Sequence, residues 1–323
     1  MQTAAGGLTT RVGSSFRSGI EAIVGRLAVL VLKGIRRTDP DRIADRAAGF
    51  MRRVGPWLPE HRTGRANLAA AYPNRPAAEI EEILGGVWDN LGRVVAEYAH
   101  LDRLWDWNAE DQSRGRIEFS DESLQRFFAL RDDGKPALLF SAHLANWELP
   151  ALTADRYGLE SAVLFRAPSI AAVAAAVNEI RATTVGTIAT GIGAPSAIMG
   201  ALERGIHVGI LVDQFFYQGI DVEFFGRPCK TNPIIARLAR HFECPIHGVR
   251  VIRLPGHRFR LEMTEAINPV RDSGGAVDIH ATTQMITGII EGWVREYPNS
   301  GCGCIADGDK KAACELDLRT GSQ

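Results

Sequence analysis

Lys135-Pro136-Ala137-Leu138-Leu139-Phe140-Ser141-Ala142-His143-Leu144-Ala145-Asn146-Trp147-Glu148 is the stretch on which the fold turns. The short apolar run after Pro136 reads as a buried strand, and a polar cluster follows it at once. An α/β core therefore starts at about residue 135. His143 stands at the C-terminal end of the predicted strand, where α/β sheets place their sites.

Working toward the C-terminus, further strands are expected at Ser161–Phe165, Val208–Val212, Ile246–Ile252 and Phe259–Met263. Helical spacing separates them near Ala171–Thr183, Pro195–Arg204 and Pro233–His241. Strands alternating with helices imply an α/β fold with a mixed, largely parallel sheet flanked by helices. Toward the N-terminus the pattern is helical. Asp39-Pro40-Asp41 is a helix start, Gly55-Pro56 a stop, and Ile80, Ile83, Leu84, Val87, Leu91, Val94 and Val95 line one face of a helix over Ala77–Tyr98. No repeat interrupts this order. The expected organisation is an amphipathic helix within residues 1–38, one domain over 39–299 with its helical part ending near 130, and an atypical tail over 300–323.

The 323 residues are 46% hydrophobic and 23% charged, enough for a core and unlike a disordered chain. A formal net charge of −1 supplies no field for nucleic acid. The one strong local bias lies between Arg11 and Arg65, where twelve basic residues face five acidic ones. That excess suits anionic headgroups. The run Ile20–Ile35 is too short and too charged to span a bilayer, but Ile23, Leu27, Leu30 and Val31 fall on one stripe. Such a helix either lies in the membrane interface or docks on the protein's own core. No secretory leader is expected. Five cysteines without an even framework favour a reducing compartment, and Cys302 and Cys304 lack a second ligand pair for a metal.

In the quoted stretch, Glu148 follows His143 by five residues, within reach if the histidine is in a loop and the glutamate in the next helical turn. A carboxylate so placed orients the imidazole, which can then take a proton from an alcohol attacking an acyl carbonyl. The plainer alternative is a satisfied loop histidine beside a first-turn glutamate favoured by the helix dipole. A second strand ends in Asp213-Gln214 and is followed by Phe224-Phe225-Gly226-Arg227, which reads equally as turn caps and core aromatics. A third ends in Arg166, able to grip a phosphate or carboxylate. The chain has no G-x-S-x-G elbow, no H-E-x-x-H and no Walker loop, and Gly191-Ile192-Gly193 lacks the setting of a dinucleotide fingerprint.

Taken in order, His61-Arg62, Asn67-Leu68, Tyr72-Pro73, the His143-to-Glu148 block, Phe165-Arg166-Ala167-Pro168, Asp213-Gln214 and Phe224-Phe225-Gly226 resemble the bacterial lipid A biosynthesis acyltransferases, the lauroyl and myristoyl transferases of the lysophospholipid acyltransferase superfamily. The resemblance implies His143 as general base with Glu148 its partner, and Asn146, Arg166, Asp213, Gln214 and Gly226 at the substrate. It implies an acyl group passed directly from acyl carrier protein to a hydroxyl of a phosphorylated glycolipid, at the cytoplasmic face of the inner membrane, with no cofactor and no metal. Two other readings keep the fold: an acceptor such as a phosphatidylinositol mannoside, or a silent lipid-binding homologue.

Ala145 stands where that family usually has glycine, and Ala167 where proline usually follows the arginine directly. The larger departure begins at Asn299, after Glu296-Tyr297-Pro298, where an aromatic and basic segment is usual. The residues here can be encoded so that the neighbouring frame spells Q-W-L-W-L-H-R-R-W-R. A one-base frameshift is the expectation, which would make everything after about Asn299 foreign to the fold.

Overall fold

In a computed structural model of the chain, residues 25–112, 114–166, 175 and 186–301 are described. The polypeptide enters as a helix over residues 25–35 (α1). Asp39 then caps α2 (Pro40–Val54), its side chain accepting from the Arg42 amide at 2.9 Å. After a short turn at Gly55–Trp57 come α3 (Pro59–Ala71) and the 22-residue α4 (Ala77–Tyr98), whose Ile80, Leu84, Val87 and Trp88 are buried. Small residues set how closely α2 and α4 approach. Ala44 and Ala48 are the buried positions of α2, and a Cβ on Gly92 of α4 would lie 2.5 Å from the Ala47 carbonyl oxygen.

A short helix, α5 (Leu101–Leu104), leads to β1 (Ile117–Phe119), α6 (Asp121–Asp132) and β2 (Leu138–Ser141). Beyond the quoted stretch lie α7 (Leu149–Arg156), β3 (Ser161–Phe165), β4 (Gly186–Ala189), α8 (Ala194–Glu203) and β5 (His207–Leu211). A hairpin of β6 (Ile220–Phe224) and β7 (Arg227–Thr231) precedes α9 (Ile234–Phe242), β8 (Ile246–Leu254), β9 (Arg258–Met263) and α10 (Ile279–Glu296).

Seven strands form one mixed sheet in the order β1-β9-β8-β2-β5-β3-β4, parallel throughout except at the β8–β9 pair. This is an α/β fold with an N-terminal helical region, as the sequence pattern implied. The strand from the quoted stretch is the central one, flanked by β8 and β5, and its Leu138 and Phe140 are fully buried. Phe140 stacks on Trp293 of α10 at 5.6 Å. Gly248 of β8 permits that stack, since a Cβ there would come within 2.7 Å of the Phe140 ring.

Every strand expected from the sequence is present with ends within a residue or two, as are the helices at Pro40, Ala77, Ala194 and Ile234. Of the helix expected at Ala171–Thr183, all but residue 175, which is helical, lies outside the described residues. Sequence reading did not see β1, β4 and the β6–β7 hairpin, nor α3, α6 and α10. The two edge strands are short, and β4 has one buried residue among four, too little for a periodic signal. No described helix is long and apolar enough to cross a membrane. On α1, Leu27, Leu30 and Val31 are exposed, so that stripe is not docked on the described core.

Candidate active site

Parallel pairing of β2 with β5 aligns Ser141 with Leu211, so the residues two positions further along each strand, His143 and Asp213, come out side by side. Asp213 accepts twice from that neighbour. Its Oδ1 lies 2.7 Å from His143 Nδ1 and its Oδ2 takes the His143 backbone amide at 2.8 Å. A carboxylate can only accept, so Nδ1 carries the hydrogen and Nε2 is left with the lone pair. The Trp147 ring meets the imidazole edge-on at 5.0 Å.

Glu148 is buried at the N-terminal end of α7 and adds its charge to the ring's surroundings. Burial alone would make the imidazolium less favourable. The Asp213 charge and hydrogen bond, helped by Glu148, outweigh that penalty and hold the His143 pKa above the ordinary histidine range. The sequence reading paired His143 with Glu148 and gave Asp213 to the substrate. In the structure, the oxygen on Nδ1 belongs to Asp213, and Glu148 acts on the ring through its charge. The missed signal was positional: both residues sit two beyond a strand end, but only the parallel pairing makes that equivalence spatial.

Asn146, expected at the substrate, is fully buried, donating from Nδ2 to Glu97 at 3.0 Å and accepting the Glu148 amide on Oδ1 at 3.2 Å. Glu97 in turn holds the guanidinium of Arg253 through both oxygens, and Arg253 Nε donates to Asn90 Oδ1 at 2.9 Å. Asn90 Nδ2 donates to the carbonyls of Ala145 and Ser300. Sequence reading named none of Asn90, Glu97 and Arg253, which lie on elements far apart in the chain.

An apolar cleft of about 210 Å³ opens beside Asp213. Leu68 and Tyr72 of the helical region, Leu144 of the histidine loop, Phe225 of the hairpin and Ile290 of α10 contribute its greasy walls, while Gln214, Arg227 and Lys230 contribute polar ones. Gly226 does not line the cleft; with φ of +69° it completes the two-residue turn that carries Phe225. Arg166 is exposed just beyond β3 and does not line the cleft either, while Ala167 and Pro168 lie outside the described residues.

Ser300 and Gly301 also belong to this region. Gly301 bridges Leu144, and the Ser300 carbonyl accepts the Ala145 amide at 3.0 Å, so the first two residues assigned to the tail are part of the fold. Backbone atoms make these bonds, which is why the unusual side chains do not prevent them. Cys302, Cys304 and Cys314 lie outside the described residues. Of the cysteines within them, Cys244 is buried, which pushes its thiol up to about 11. Among the described residues no group of three His, Cys, Asp or Glu side chains could hold a metal ion.

A protein-family model described as bacterial lipid A biosynthesis acyltransferase matches residues 14–300. No curated protein matches the chain.

Proposed function

The chain belongs to the bacterial lipid A biosynthesis acyltransferase family, and from that premise we propose that it is an O-acyltransferase in which His143 is the general base. Acyl transfer in lipid A biosynthesis follows from the family. The roles of individual residues, the donor and the acceptor are our reading.

Nε2 of His143 removes the proton from an acceptor hydroxyl as its oxygen attacks the carbonyl of an acyl thioester. The C–O bond forms, the C–S bond breaks, and the imidazolium returns its proton to the departing thiolate. Asp213 fixes the tautomer this requires and, with Glu148, stabilises the transient imidazolium. The apolar cleft beside Asp213 takes the acyl chain, each buried methylene contributing ~0.8 kcal/mol. Acyl carrier protein is the donor and a phosphorylated glycolipid the acceptor. The enzyme works at the cytoplasmic face of the inner membrane, held there by the exposed stripe of α1 and the basic residues around it.

The observation that carries this reading is the hydrogen bond of His143 to Asp213, a residue that lines an apolar cleft. Transfer of radiolabelled acyl groups from acyl carrier protein to a purified lipid A precursor tests it, with the parent chain beside His143→Ala, Asp213→Asn and Glu148→Gln. Loss of about 10²-fold or more with His143→Ala is expected. Folded parent protein that acylates no glycolipid acceptor, or a folded His143→Ala variant of parental rate, would overturn the proposal.

A further inference from the structure

The loop that presents His143 and Glu148 is short, and its middle is strained: Ala145 lies at φ +47°, in the left-handed region that a residue with a Cβ rarely adopts. Strain of this kind persists only where surrounding bonds over-determine the backbone. Three bonds do so here. The Ala145 carbonyl accepts from Asn90 Nδ2 at 3.2 Å, the Ala145 amide donates to the Ser300 carbonyl at 3.0 Å, and the Glu148 amide donates to Asn146 Oδ1 at 3.2 Å.

Behind two of those bonds stands one ion pair. Glu97 near the end of α4 and Arg253 near the end of β8 meet fork to fork, with side-chain exposures of 4% and 15%. The pair branches toward the loop on both sides, through Glu97 to Asn146 and through Arg253 to Asn90. A buried ion pair gains little stability over a packed apolar pair, so its presence calls for another account. Fixed direction is what this one supplies. Each charged group has hydrogen-bonding partners, and each branch ends on the backbone of the loop.

We infer that Glu97 and Arg253 are positioning residues that act through Asn146 and Asn90 to hold Glu148 and His143 in register, so that the helical region sets the geometry of a base delivered by the sheet. The inference rests on the reading of His143 as general base. The charged groups acting on its ring are Asp213 from the end of β5 and Glu148 from its own loop. Asn146 therefore controls one of the two carboxylates without touching the ring.

Removing Glu97 alone would strand the Arg253 charge and endanger the fold, so the decisive variant is Asn146→Ala, which leaves the ion pair whole and cuts one of its two links to the loop, the one that ends on the Glu148 amide. Two readouts are taken on the full chain: the steady-state constants for acyl transfer, and the titration of the His143 ring followed by NMR without substrate. With Asn146→Ala, kcat falls by about 10- to 100-fold with little change in KM, and the His143 midpoint moves down as Glu148 drifts from the ring. Adding Glu148→Gln to Asn146→Ala produces a total shift smaller than the sum of the two single shifts, because both changes weaken the action of the same carboxylate. Arg253→Lys, which keeps the charge and loses the fork, gives a smaller change in the same direction.

A folded Asn146→Ala variant with the parental midpoint and parental kcat would overturn the inference. So would shifts from Asn146→Ala and Glu148→Gln that simply add. If the parent transfers no acyl group while the His143 midpoint still responds to Asn146→Ala, the positioning network stands and the proposed activity fails. The two conclusions are thus separable.

Discussion

His143 must be neutral at Nε2 to accept a proton, and Asp213 and Glu148 both raise the pH at which that happens. The acidic limb of the kcat/KM profile is therefore expected above the ordinary histidine value of about 6.5. Asp213→Asn should move the limb to lower pH while lowering the maximal rate, a pairing that a pH–rate series reads directly. Stability carries the opposite sign from activity. A group whose folded-state pKa is raised contributes stability in full below its unfolded pKa, and loses it as pH rises through the folded value. Denaturant midpoints of the parent should thus fall relative to His143→Gln across that window. At Ala145 three effects of similar size oppose one another. Substitution by glycine relieves roughly 1–2 kcal/mol of left-handed strain, gives up about 0.8 kcal/mol of methyl burial and adds about 0.4–1 kcal/mol of unfolded-chain entropy. The net change should lie within about 1 kcal/mol by denaturant unfolding, and a larger shift in either direction would contradict this accounting. That balance explains how alanine stands at a position suited to glycine.

Among the elements, the α2–α4 contact and the β6–β7 hairpin each depend on tight backbone geometry. Gly92 brings α4 so close to α2 that even one added methyl meets the Ala47 carbonyl and the Ala48 Cα, at 2.5 and 2.8 Å. Backbone cannot step aside as a flexible side chain can, so Gly92→Val should lower stability by about 1–3 kcal/mol, measured by thermal or urea unfolding. In the hairpin, Phe225 itself has φ of +53°, unusual for so bulky a residue. Its amide donates to Glu291 at 2.6 Å and its ring packs edge-on against Tyr72 at 5.2 Å. These contacts hold the ring in the cleft wall, joining α10, the hairpin and the helical region at the place assigned to the acyl chain. The hairpin was invisible beforehand because its alternation is weak. Val222 is the buried residue of β6, and Pro228 interrupts β7.

Across the whole molecule, the segment Asn299–Gly301 joins the C-terminal end of the chain to the histidine loop. A chain ending after Gly301 should keep the thermal midpoint of the full protein. One ending after Pro298 should lose stability and activity together, since the Ala145 amide and Asn90 both lose the Ser300 carbonyl. Thermal melts of the two truncations check these outcomes. At the other end, exposed Leu27, Leu30 and Val31 with the surrounding basic residues predict binding to anionic vesicles. Leu27→Ser with Leu30→Ser should reduce co-sedimentation with such vesicles while leaving transfer to a detergent-dispersed acceptor unchanged.

The sequence by itself determined the α/β class, five of the seven strands of the main sheet including the central one, and the position of His143 at its end. Those signals are local: an apolar run, a helical period, a cap, a polar cluster after a strand. It also placed Asp213 at a strand end, without revealing whose neighbour it was. Strand adjacency is decided by which hydrophobic faces pair over long sequence separations, and no local pattern records it. Only the tertiary structure brought β5 beside β2, made Asp213 the partner of Nδ1, and buried Asn146 against Glu97. The ion pair of Glu97 with Arg253 joins residues 156 positions apart, which is why a network essential to the loop's geometry left no trace in the spacing of the residues that form it.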